Sequence, residues 1–580
     1  MTDASDTPSR RSVGLALLLI CALGLGLRVY HALVAVAVSP DSALFIEYAQ
    51  RLAGDPLAAL RHYAQHPLYP SLILLLHGPL AWLAGPEAGG WILAGRLASI
   101  AGSLGAILAV YGLTARLYDS RRGLIAAALL AVLPDACVFG ADVLSDLPHL
   151  ALYLAGLIAL LAGLKKQHRG LVLAAGIAAA LAFLTRPEGA SVLLVALIAV
   201  LAQRRWPLKR RAGLAAGLLA VFFCLAGPYQ LATGKLIQKK SLQEMFGFTA
   251  AAQSQLPTSA TPSPDRSGLH PAQTDTQAGL ATTLPIPINI LRQWVRAGRV
   301  IYVLLAILGV AVARPRGLAG LVLGSAIGIH LALLYALEAR FGYLDRRHAL
   351  ILATLSLPPA AAAVHWISAR LSRRDGDAQR IWQGGITVGI VLVCVIGTSR
   401  WLLRPINPGD AHVAASGHWL ADNTPPGTLV VGDSLLRRVA LYANLPFAEW
   451  PWWQGEVRHL ARFLADKSGS IFVVDVRHMT AAERNPVFFE DLDQQLGGQL
   501  ELLHVEQAPP CTRPTEIRVY RYREAQATLS RSQTSTAVLI RSRARWISAV
   551  IAQCVLVSPT QYCTFSPQSS AAAAARAGHV

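Results

Sequence analysis

The stretch RLYDSRRGLIAAALLAVLPDACVFGADVLSDLPHLALYLAGLIALLAGLKKQHR, residues 116–169, holds two long apolar runs between basic ends. Basic residues stand at its two ends (Arg116, Arg121 and Arg122; Lys165, Lys166 and Arg169), and two apolar runs lie between them, near 123–139 and 148–164. A turn carrying Asp142 and Asp146 joins the runs. Short cytoplasmic loops collect Lys and Arg, so the pattern reads as a hairpin that leaves the cytoplasm, turns at the outer surface and returns. A helix crosses a hydrocarbon core of about 30 Å with roughly 17–25 residues, and each run is long enough.

The same grammar continues in both directions. Further runs lie near 13–37, 91–114, 212–232, 300–313, 317–337, 349–367 and 383–399, with two short ones near 170–185 and 190–203. Together they predict a polytopic α-helical membrane protein of about eleven transmembrane helices. Basic clusters recur at every second loop: Arg10 and Arg11; Arg204, Arg205, Lys209, Arg210 and Arg211; Arg314 and Arg316; Arg370, Arg373, Arg374 and Arg380. This alternation puts the amino terminus in the cytoplasm and everything after about Ser399 outside. The run 67–85 is apolar too, but a crossing there would put the next basic loops outside. It is read as interfacial or re-entrant, with Pro70 and Pro79 arguing against a plain helix.

Composition agrees. Of 580 residues 54% are hydrophobic and only 15% charged, with mean hydropathy +0.44, which excludes a soluble multidomain enzyme. The net charge of +19 is spread in clusters between apolar runs rather than along one face, so it reports topology and not a nucleic-acid partner. Seven cysteines without a CxxC pair indicate neither a zinc site nor a disulfide framework. The run from Val13 exceeds a signal-peptide core and is read as the first span.

Three segments face outward: 38–90, 233–298 and everything after 399. The second contains QSQLPTSATPSPDRSGLHPAQTDTQ, a mobile-loop composition. From about 409 to 522 the sequence becomes that of a small α/β domain: a helix through HVAASGHWLAD, the strand TLVVGDS, a helix near 456–466, and the strands SIFVVDV and TEIRVYRY. The expected organisation is a membrane domain over 1–400, an exoplasmic α/β domain over 401–523, and a disordered tail over 524–580.

Candidate chemistry sits on the outer side. Asp41 follows the first span, with Glu47 two helical turns on; a carboxylate there suits a general base or a divalent ion, and Asp41 suits a helix cap equally. Asp142 and Asp146 lie at the next outer turn, where they either join Asp41 in one acidic site or simply start a helix. His66 and Tyr69 stand in HPLYPSL. Arg186 and Glu188 interrupt apolar sequence in LTRPEG, a tight turn with an internal ion pair or an anion-binding arginine. Arg340, Arg346 and Arg347, in ARFGYLDRRHAL, stand where the charge rule disfavours arginine, and they suit either a lipid-linked phosphate or ordinary headgroup contact. The string Asp375-Gly376-Asp377 lies in a cytoplasmic loop and Asp491 with Asp493 on a solvated helix face. P-loop, HExxH, GxSxG and dinucleotide patterns are missing from the sequence.

Taken in order, PDSALFIEYAQRL, HPLYPSLILLLHGPL, the RLAS…YGLTARLYDSRRGLIAAALLAVLP stretch, SDLPHLALYLAG and LTRPEGA resemble the bacterial branch of the GT-C glycosyltransferases. That branch is the protein O-mannosyltransferase-like family, with the aminoarabinose and galacturonic acid transferases acting on lipid A. Many members carry two adjacent carboxylates in the first loop, whereas Asp41 is followed by Ser42. The resemblance implies a GT-C-like bundle in the bacterial inner membrane that transfers sugar, with inversion, from a polyprenyl-phosphate donor to a lipid, glycan or protein acceptor. Asp41 would be the base, with Asp142 or Asp146 assisting, and the outer arginines would meet the phosphate. No cofactor is required by this chemistry, and a divalent cation is compatible with it. Two other classes fit the span count: a secondary transporter or flippase, for which internal repeats and midplane charges are expected but not seen, and a non-catalytic scaffold carrying the outer domain.

Overall fold

The computed structural model describes residues 9–85, 87–234, 285–372, 377–450, 500–508 and 516–523, with 463–464, 467, 469–475, 493–494 and 498 between them. The loop QSQLPTSATPSPDRSGLHPAQTDTQ, the tail after 523, Cys511, Cys554, Cys563, Asp375, Gly376, Asp491 and all but two residues of the helix expected at 456–466 lie outside the described residues.

The apolar runs are helices. α1 (Arg10–Leu33), α5 (Ala88–Leu117), α8 (Asp146–Lys165), α11 (Leu208–Thr233), Ile286–Val312, Gly317–Phe341, Leu350–Leu371 and Ile381–Leu402 are eight helices long and apolar enough to cross a membrane, among the described residues. The shorter α9 (Arg169–Thr185) and α10 (Ala190–Leu201) flank the turn at Arg186. The chain is thus a multi-pass membrane protein. Close packing at the centre depends on small residues: at Gly102 of α5 a Cβ would lie 2.5 Å from the backbone nitrogen of Pro148 in α8.

The run read as one span over 123–139 is two helices, α6 (Ser120–Ala131) and α7 (Pro134–Ala141), bent by 62°. Pro134 cannot donate a backbone hydrogen bond and disfavours helix in the residue before it, so the ladder stops at Ala131. The carbonyls this exposes are satisfied by a fully buried cation: Arg28 of α1 donates Nη1–H to the carbonyl of Ala131 (2.5 Å) and Nε–H to Ser103 Oγ (2.7 Å). A cation at a helix C-terminus also opposes the helix dipole. Arg28→Met keeps the bulk and removes the donors. The Ala131 carbonyl would keep only the weak Cys137 thiol donor (3.2 Å), and a buried carbonyl stripped of its strong partner costs up to about 1–3 kcal/mol, so the variant should melt at a lower temperature in detergent.

The 67–85 stretch departs from expectation: α4 (Leu68–Ala84) is one continuous helix. Pro70 falls in its first turn, where an N–H has no intrahelical partner in any case, and the helix carries Pro79 within it. Its buried face, Tyr69 and Ile73, packs on α2 (Pro40–Gly54) and α5, while Leu75 and Trp82 are exposed.

Beyond the last span the described residues form a five-stranded mixed sheet, ordered β2-β1-β3-β5-β4. Its strands are β1 (Val430–Gly432), β2 (Phe447–Glu449), β3 (Ile471–Asp475), β4 (Leu500–Gln507) and β5 (Glu516–Tyr522). β1 runs parallel to β2 and β3, whereas β5 is antiparallel to β3 and β4. Helix Ala411–Asn423 covers one face through Val413 and Leu420 against Val430, Ile471 and Val519. The sequence reading missed β2 and β4 and the short helix Arg437–Ala443: β2 is three residues long, and β4 carries His504 and Glu506 between its apolar positions. The unit is anchored on the loop before α2. Buried Arg438 donates to the Val38 carbonyl (3.2 Å) and pairs with Asp410 (2.6 Å), and the Val38 N–H donates to the Tyr442 hydroxyl (2.9 Å).

Candidate active site

α2 starts with Ser39 as its N-cap residue and Pro40 at its first position, so Asp41 lies inside the first turn and is not the cap. The start of α2 is held from below by Asp142. This buried carboxylate accepts from the Ser39 N–H (3.1 Å), the Ser39 hydroxyl (2.5 Å), the Ser42 hydroxyl (3.2 Å) and its own neighbour's N–H at Val143 (2.8 Å). Four donors leave Asp142 an anchor for the loop that carries Asp41, and it does not line the cavity beside Asp41.

The RPEG turn is built for close approach. The Arg186 N–H ends α9 on the Ala182 carbonyl (2.8 Å), Pro187 opens a single 3-10 turn, and a Cβ on Gly189 would run into the backbone of Ala182 and Phe183. The turn aims Arg186 at Asp146, with Nη1 to Oδ1 at 2.7 Å, and Glu188 stands 3.4 Å from the same guanidinium. From the far end of the sequence Arg347 reaches the other oxygen of Asp146 (2.9 Å) and, with its second terminal nitrogen, Asp41 (2.6 Å). Burial works against the Arg347 charge, yet Asp146 and Asp41 hold its ionisation well above the ordinary arginine value. Arg186 is likewise raised, its burial outweighed by Asp146 and Glu188.

These groups border a cavity of about 240 Å³ whose wall includes Asp41, Phe45, His66, Ser145, Thr185, Arg186, Tyr343, Asp345, Arg347 and His348. Burial, reinforced by Asp345, pushes the Tyr343 hydroxyl up to about 12, so it is a neutral hydrogen-bonding group at ordinary pH. Behind the arginines lies a chamber of about 20 Å³, the size of one water molecule, lined by His149, His330, Glu188 and Asp146 among others. His149 Nδ1 and His330 Nε2 face the carbonyls of Ala182 and His348 at 3.0 Å each, so these nitrogens carry the protons.

The remaining expected residues are distributed differently. Arg346 turns away from its neighbour to buried Asp135 (3.3 Å), which also holds Arg299 (2.8 Å); Phe139 lies under both Arg346 and Arg347. Glu47 faces the C-terminal unit, pairing with Arg51 (2.8 Å) and in close contact with Arg437. Tyr69 is a fully buried core residue outside the cavity wall, bonded to Ser99 Oγ (2.7 Å) and the Gly95 carbonyl (3.1 Å). Arg340 ends helix Gly317–Phe341 and lies outside the cavity wall. His66 lines the cavity, packed on Phe183 and Tyr229. Asp135 and Arg299 escaped the sequence reading because Asp135 lies inside an apparent span. A trace of Arg299 exists only in the backbone, at φ 59°, where a kink joins two helical pieces of Ile286–Val312. Among the described residues no group of three or more His, Cys, Asp or Glu is arranged to hold a metal ion.

Residues 87–227 match the family model of the dolichyl-phosphate-mannose-protein mannosyltransferases. No curated protein matches the chain significantly. Among solved structures, the ArnT of Cupriavidus metallidurans bound to undecaprenyl phosphate is 16% identical, with a TM-score of 0.51 over 87% of this chain and 97% of that one. The Archaeoglobus fulgidus oligosaccharyltransferase in its apo form is 14% identical, with a TM-score of 0.53 over 81% of this chain and 70% of that one. The archaeal oligosaccharyltransferase AglB from the same organism, in complex with an inhibitory peptide and a dolichol-phosphate, is 14% identical, with a TM-score of 0.52 over 89% and 75%. The helical bundle and the small sheet unit beyond the last span thus share the fold of these membrane enzymes, a GT-C-like bundle.

Proposed function

We propose that the chain transfers a sugar from a polyprenyl-phosphate donor to an acceptor hydroxyl at the outer face of the bacterial inner membrane, with inversion at the anomeric carbon. One observation carries the reading: a half-exposed carboxylate, Asp41, shares a cavity wall with two arginines that a buried carboxylate holds in place. The undecaprenyl phosphate and dolichol-phosphate in the ArnT and AglB structures support a lipid-linked donor. The basic clusters in alternate loops support an outward-facing site.

In this reading Arg186 and Arg347 receive the donor phosphate. The acceptor oxygen attacks the anomeric carbon from the face opposite the phosphate, and its proton passes to Asp41. The bond from the anomeric carbon to the phosphate oxygen breaks with its electron pair left on that oxygen, where the arginines stabilise the charge. The sugar and the acceptor follow from a panel assay: purified protein with radiolabelled polyprenyl-phosphate sugars and lipid, glycan and peptide acceptors should move label from at least one donor. Gradient-driven solute movement in liposomes without any such transfer would replace the enzyme by a transporter. With a donor in hand, Arg186→Ala should raise its KM about ten- to a hundredfold, as expected for losing one charge-assisted bond. Arg346→Ala, which faces Asp135 instead, should raise it far less.

A further inference from the structure

We propose that Arg347 is a switch shared between base and donor: it holds Asp41 until the donor phosphate takes it over and releases the Asp41 carboxylate to act. The inference rests on the function proposed above and adds to it an order of events.

The argument starts from one guanidinium between two carboxylates of unequal standing. Arg347 reaches Asp41 through Nη1 (2.6 Å) and Asp146 through Nη2 (2.9 Å). The Asp146 side chain is 4% exposed and is clamped a second time by Arg186 (2.7 Å), whereas the Asp41 side chain is 51% exposed. Parting a buried pair leaves an uncompensated buried charge, while water readily replaces either member of an exposed pair. An anion entering the cavity therefore displaces Asp41 and leaves the Asp146 contacts intact. The exchange needs only Nη1, because a phosphate oxygen accepts a charge-assisted hydrogen bond at least as well as a carboxylate oxygen does.

Two consequences follow. While paired with Arg347, Asp41 spends its carboxylate on an ion pair. Once a phosphate occupies Arg347, repulsion between the two anions turns Asp41 toward the acceptor side of the cavity. Asp146 is then a positioning residue, which keeps Arg347 and Arg186 aimed at the phosphate throughout.

The test measures binding of undecaprenyl phosphate, with undecaprenol as the phosphate-free control, to the full-length protein in nanodiscs of neutral lipid. Wild type should prefer the phosphate form. Asp41→Asn and Asp41→Ser lose the competing charge and should bind undecaprenyl phosphate about two- to fivefold more tightly than wild type, the range expected for an exposed ion pair. Asp41→Glu keeps a carboxylate and should bind as wild type does. Two neutral variants are used so that a folding failure in one leaves the other informative. Unchanged or weaker binding by the neutral variants, with wild type still preferring the phosphate, overturns the switch alone. A wild type with no preference for phosphate over undecaprenol overturns the donor reading itself.

Discussion

An Asp41→Asn enzyme should turn over at least about a hundredfold more slowly than wild type, because a positioned general base typically contributes about 10²–10⁴-fold. Asparagine keeps the size of the side chain and is accepted at a helix start, so α2 should form as before. Ser39, held by Asp142, already fixes that helix end without help from Asp41. The loss should appear in kcat, with donor KM no worse, and a single-turnover measurement would place it in the chemical step. Turnover within a few fold of wild type would remove Asp41 from the chemistry. The search would then not pass to Asp142, which is occupied by four donors, but to an acidic group on the cavity wall such as Asp345.

Asp146→Asn should be the most damaging change to the architecture of the site. Its carboxylate is buried beneath Arg186 and Arg347, and asparagine would leave both cations without their shared counter-charge. Removing one partner of a buried pair typically costs about 3–5 kcal/mol. The variant is expected to melt at a markedly lower temperature in detergent and to lose binding of undecaprenyl phosphate, in contrast to the Asp41 variants, which keep both. A variant with wild-type melting and binding would mean that Glu188 and Asp41 suffice to hold the two arginines.

The two variants separate roles that the sequence leaves together. Asp41, Asp142 and Asp146 all stand at turns between apolar runs, and in sequence each is equally a base, a helix cap or a structural anion. The structure gives each one a different job through its neighbours. Asp142 is spent on the backbone and hydroxyls of the first loop, Asp146 on two arginines, and Asp41 on one arginine at the edge of a cavity. Adjacent Arg346 and Arg347 are split in the same way, between Asp135 and Asp146. Glu47 leaves the site for the C-terminal unit, where Arg437 waits.

The order of spans and turns along the chain is legible in the sequence alone. Apolar runs of spanning length, basic clusters in alternate loops and short polar turns are local patterns, and they carried the bundle, the carboxylates and arginines of the loops opposite the basic clusters, and the tight RPEG turn. The break between α6 and α7 lay hidden because window hydropathy counts apolar side chains and not the backbone donor lost at Pro134. Which charges meet is set by the packing of the helices. Asp41 and Arg347 are 306 residues apart, and Asp146 and Arg347 are 201 apart. Helices that share a depth in the bilayer are still free to rotate and to exchange neighbours until their faces pack. A buried charge then takes whichever opposite charge that packing brings within reach, since at that depth water cannot stand in for a partner.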